Sequence, residues 1–146
     1  MIAILRPDHN PERGSAAVEI TMLIPVLLIT LGLLIVGGRI WFAHTTVNEA
    51  ANSAARAASL ARSAAEAAVV GRAAADHSMS TNGLRCAATA VEVNTAGFGV
   101  PVGTPATITA DIDCRIAFAD LLLPRIPGGV DLTGSGVSAL DTYRSR

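Results

Sequence analysis

Few residues in this chain are chemically assertive, and their spacing limits what they can do. The three histidines, His9, His44 and His77, stand far apart. None has a second ligand at the short spacings metal sites use, so no metal site is expected. Asp111 and Asp113 alternate on what reads as one strand face. They have the residue types of a cation site or an acid pair, but a solvated strand face accounts for them more simply. There is no G-x-S-x-G elbow, no cysteine in a histidine motif, and no glycine loop opening a helix after a strand. Gly97, Gly99 and Gly103 read as turn material. The chain reads as a non-enzyme that needs no cofactor.

Two features carry more. Cys86 and Cys114 both lie in the C-terminal part. Oxidised to a disulfide, they would remove denatured-state entropy worth roughly 3 to 4 kcal/mol, the kind of staple small exported domains use. Two buried free thiols are the alternative. The second feature is Glu19, the only ionisable residue between Arg13 and Arg39. An acid at the centre of a membrane helix costs about 2.5 to 3.5 kcal/mol. Glu19 must therefore sit at an edge, or have a use, or both.

The element that places Glu19 is an apolar helix. From Ile20 to Gly38 no residue is ionisable, and at about 1.5 Å per residue that run spans roughly 28 Å, close to the thickness of a hydrocarbon core. A secretory signal peptide has a shorter apolar region followed by small residues. Here "RIWFAHTT" follows, with Trp41 where an interfacial aromatic belongs. Pro25 cannot donate to the Thr21 carbonyl, so a kink is expected there. Arg6 and Arg13 before the span nearly balance Arg39 and Arg56 after it. Oxidised cysteines would tip the orientation to a cytoplasmic N-terminus and an extracytoplasmic C-terminal domain.

Beyond the span, Val47, Ala51, Ala54, Ala58, Ala61, Ala65 and Ala68 recur at helical period, as do the polar Thr45, Glu49, Asn52, Arg56, Ser59, Ser63 and Glu66. Two such stripes predict an amphipathic helix with one seam and one wet face. The alanine seam permits close backbone approach, either over the chain's own sheet or against neighbouring subunits. The turn-rich "DHSMSTNG", Asp76 to Gly83, should end it.

Next, "ATITADIDCRI" alternates cleanly, with Ile108, Ala110, Ile112, Cys114 and Ile116 on one face, as a half-buried strand does. Two less regular runs, Arg85 to Thr95 and Val130 to Leu140, change phase in a way that bulges would explain. "AGFGVPVGTP" and "LLLPRIPGG" connect them. The expected fold is α+β: a long N-terminal helix, transmembrane and then amphipathic, followed by a small three-stranded antiparallel sheet whose apolar face meets the helix. With a net charge of -1 and no basic patch, a nucleic-acid partner is not expected. The chain has 146 residues and only five aromatic side chains, Trp41, Tyr143 and three Phe. A span plus one small aliphatic-cored domain uses up that length.

The start of the helix, "ERGSAAVEITMLIPVLLITLGLL", resembles the TadE-like family of pseudopilins from Tad/Flp pilus systems, relatives of type IV pilins. In that family a short charged leader ends in glycine and a glutamate stands fifth in the mature chain. Gly14 matches the leader's end, Ser15 the new terminus, Glu19 the glutamate, and Pro25 of "LIP" a proline common in the segment. Ile20 departs from the tyrosine or phenylalanine usual after the glutamate. The resemblance implies cleavage between Gly14 and Ser15 by a prepilin peptidase. It also implies a Glu19 carboxylate paired with the α-amino group of an adjacent subunit; an acid favoured by the helix dipole at a wet interface is the plainer account.

The expected layout is then a leader over 1–14, a transmembrane helix over 15–43, an amphipathic helix over 44–78 and a β-rich domain over 79–146. Length points to a minor subunit in the cytoplasmic membrane or in a pilus, serving adhesion or secretion. The partners implied are the peptidase, other pilin or pseudopilin subunits, the assembly platform and the lipid bilayer. An uncleaved single-pass protein displaying a small binding module is the alternative.

Overall fold

The computed structural model describes residues 12–121 and 127–143. Most of the expected leader, with His9, and most of the "LLLPRIPGG" connection therefore lie outside the described residues. The chain divides into two compact units, one ending at Gly37 and one beginning at Gly38. Helix α1 (Glu12–Ser59) contributes to both. In the first unit it is helical throughout, through Pro25, and every side chain from Val18 to Ile35 is exposed. The Thr30 hydroxyl donates back to the Val26 carbonyl at 2.8 Å, which removes an unpaired polar group from an otherwise apolar surface.

The second unit is α+β. The end of α1 is followed by α2 (Ala64–Thr81) and by strands β1 (Ala88–Asn94), β2 (Ala106–Ala117) and β3 (Gly129–Leu140). The strands form one antiparallel sheet in the order β1-β2-β3. One face of it is the core. Ile108, Ala110, Ile112, Cys114 and Ile116 are all buried, as the alternation of β2 requires, and they meet Ala43, Val47, Ala50, Ala51, Ala54, Ala55 and Ala58 of α1. The alanine seam of α1 is thus taken up by the chain's own sheet and by α2.

The amphipathic stretch expected as one helix over 44–78 is two helices. Leu60 and Ala61 close the end of α1 with tightened bonds to the Ala57 and Ala58 carbonyls. Ser63 then caps α2: its hydroxyl accepts from the Glu66 N–H at 3.2 Å, while the Glu66 carboxylate accepts from the Arg62 N–H at 3.0 Å. This is close to a capping box, and it satisfies donors that a helix start leaves orphaned. Ser63 and Glu66 are exposed, as a wet face requires, and in addition form this cap. The buried stripe changes phase across the break, to Ala67, Gly71, Ala75 and Met79, and leaves Ala65 exposed. Ser59 is buried too, its hydroxyl 3.0 Å from that of Ser138.

The "DHSMSTNG" stretch is helical as far as Thr81. Its end is a Schellman motif: Gly83, at φ +69°, donates to Ser80 and Leu84 donates to Met79. Only a residue without Cβ takes that φ at little cost.

No bulge interrupts either ladder; both registers run without a skipped residue. In β1 the inward positions are Thr89, Val91 and Val93, opposite Cys114, Ile112 and Ala110, so Ala88 and Ala90 simply belong to the outer face. In β3 the glycines of "GSG" are themselves inward residues. A Cβ on Gly134 would lie 2.9 Å from the Val47 backbone, and one on Gly136 would meet the Ala51 backbone. The helix rests directly on the strand there. Cys86 and Cys114 form a disulfide with Cα atoms 5.4 Å apart, pinning the segment before β1 to β2.

Candidate functional site

The candidate site begins with the first turns of α1. The backbone of Gly14 and Ser15 is helical, near the start of the described part of α1. Glu19 follows one turn after Ser15 and is exposed. Beyond it come Ile20, Met22, Leu23, Leu27, Leu33 and Leu34, each more than half exposed. A continuous helical surface of this kind cannot remain in water; it requires lipid or other apolar helices around it. Trp41, 76% exposed, closes the run.

The remaining sequence candidates are not brought together. His44 contacts Asn48 on its own helix, and His77 offers only its carbonyl, to Ser80. Asp111 and Asp113 are exposed on the outer face of the sheet, opposite Glu92 and Ala90 of β1. On that face Arg115 and Asp131 make an ion pair of 3.7 Å, both well exposed, and worth little at such a site. Among the described residues no three His, Cys, Asp or Glu side chains cluster as metal ligands would.

Sequence reasoning missed a recess of about 450 Å³ in the second unit. Arg39 and Phe42 of α1 line it together with Leu84 and Arg85 of the turn after α2, Ile116 of β2, and Asp120. The Arg39 guanidinium donates to the Asp120 carbonyl at 3.0 Å. Its residues are too scattered in sequence for any periodicity to reveal it.

Among the described residues one helix, near the N-terminus, is long and apolar enough to cross a membrane, and a small disulfide-bonded α+β domain follows it. A family model described as TadE-like protein matches residues 14–56, 43 of the chain's 146 residues, and this stretch of the chain is similar to that family. The matched segment starts at Gly14 and ends three residues before α1 does. The break, α2 and the sheet lie beyond it. No curated protein and no solved structure matches the chain.

Proposed function

We propose that the chain is a minor pilin, a pseudopilin of a Tad/Flp-type pilus, cut between Gly14 and Ser15 by a prepilin peptidase before it joins the assembly. The observation that carries this reading is the coincidence of two boundaries. The family match opens at Gly14, where the charged leader pattern ends, and Glu19 stands fifth from Ser15 in a stretch, Gly14 to Gly38, otherwise free of charge. After cleavage the new α-amino group and the carboxylate lie one helical turn apart along α1. Each can then meet the opposite charge on a neighbouring subunit, which is what makes a charge at a membrane surface tolerable.

The exposed apolar run from Val18 to Ile35 supports the same reading, because it is the part of the chain left to pack against neighbours. The seam from Val47 to Ala58 is occupied within the second unit. The N-terminus would face the cytoplasm and the disulfide-bonded domain the other side. Glu19→Val tests the pairing. The variant should insert and be cleaved, yet co-purify with other pilus subunits far below the wild-type level. Assembly at the wild-type level would show that the carboxylate is not the contact.

A further inference from the structure

We propose that the recess lined by Arg39 and Arg85 binds the phosphate of an anionic phospholipid headgroup, in the leaflet where α1 leaves the membrane. Arg39 is the first ionisable residue after Glu19. The apolar run it ends is long enough to cross a hydrocarbon core, so its guanidinium stands at headgroup level, beside the interfacial Trp41. Arg85, from the turn after α2, lines the same recess. It is held there on both sides, by the Schellman turn at Gly83 and Leu84 and by the disulfide of the adjacent Cys86.

The charges are available. Arg39 spends one of its five donors on the Asp120 carbonyl, a contact that orients the guanidinium without neutralising it. The ion pair found among the described residues is Arg115–Asp131, and it involves neither arginine of the recess. Counting the Asp120 carboxylate, which lines the same recess, the lining keeps one net positive charge. Two guanidiniums match the oxygens of a phosphate in bidentate fashion. Apart from Asn82 the rest of the lining, Phe42, Leu84 and Ile116 among it, is apolar or glycine and suits the glycerol and upper acyl carbons that accompany a lipid phosphate but not a free one. The volume, about 450 Å³, falls within the range of small-ligand sites, about 300 to 1,000 Å³.

The test uses the full chain, purified in detergent, with retained lipid counted by native mass spectrometry after exposure to phosphatidylglycerol or phosphatidylcholine. Phosphatidylglycerol should be retained severalfold over phosphatidylcholine. Arg39→Gln and Arg85→Gln should each lower that preference about fivefold, and Arg72→Gln, an exposed arginine outside the recess, should leave it unchanged. If a glutamine variant loses its disulfide or its circular dichroism spectrum, Arg39→Lys and Arg85→Lys decide the matter by keeping most of the preference. Equal retention of the two lipids, equal loss in Arg72→Gln, or loss of the preference in the folded lysine variants would overturn the proposal. So would displacement of the lipid by millimolar glycerol 1-phosphate, which would make a soluble phosphate the ligand.

Discussion

Gly136→Ala is the substitution on which backbone propensity and tertiary structure disagree most sharply. In an open strand position, replacing glycine by alanine stabilises by roughly 0.4 to 1 kcal/mol, because the unfolded chain loses freedom. Here the new methyl would overlap the backbone carbonyl of Ala51, and neighbouring Gly134 leaves α1 no slack, since a Cβ there already comes within 2.9 Å of Val47. To restore an ordinary separation of about 3.5 to 4.0 Å, α1 must lift by about 1 Å, and a gap of that size forfeits roughly a quarter to a half of each dispersion contact. The contacts at risk are those of Val47, Ala50, Ala51, Ala54 and Ala55, all with no exposed surface. Overpacking of this kind costs about 2 to 3 kcal/mol. For a unit of this size that lowers Tm by about 10 °C. Thermal unfolding of the full chain in detergent, followed by circular dichroism, reads it directly. Gly99→Ala is the control, since nothing lies within 4 Å of that Cβ, and it should fall within about 0.5 kcal/mol of wild type. A Gly136→Ala protein as stable as that control would refute the direct seating of α1 on β3.

Two further outcomes follow from named contacts. Ser63→Ala removes the hydroxyl that caps α2 and should cost about 1 kcal/mol, seen as a denaturation midpoint lower than that of Ser53→Ala on the exposed side of α1. Replacing Cys86 and Cys114 together by alanine frees a loop of 28 residues' separation. It should cost about 3.5 kcal/mol by chain entropy, measured against the oxidised protein by urea unfolding; equal midpoints would contradict the assigned role of the disulfide.

The strand β2 was legible because a half-buried strand repeats every two residues, and its Ile, Ala and Cys positions alternate with Thr, Asp and Arg without exception. The seam of α1 was legible as far as Ala58 for the corresponding reason. Past Leu60 the same alanines misled, because a segment with Ala at 61, 64, 65, 67 and 68 looks apolar in every phase and hides a break. The signal for that break was present in "SAAE", Ser63 to Glu66, where serine and glutamate hold the spacing of a helix cap. The phase changes of β1 and β3 suggested bulges because small residues do not declare a face. Glycine at 134 and 136 is required by the backbone of α1, which no local pattern announces. The Arg39 and Arg85 recess was illegible for a related reason, since it is assembled from four separated segments. Glu19, by contrast, stood out at once as the one charge between Arg13 and Arg39.

The most direct measurement of the central claim is the intact mass of the protein purified from membranes of cells with an active prepilin peptidase. The account predicts a chain that begins at Ser15, with Gly14 and everything before it gone. A chain that still begins at Met1 under those conditions would contradict it.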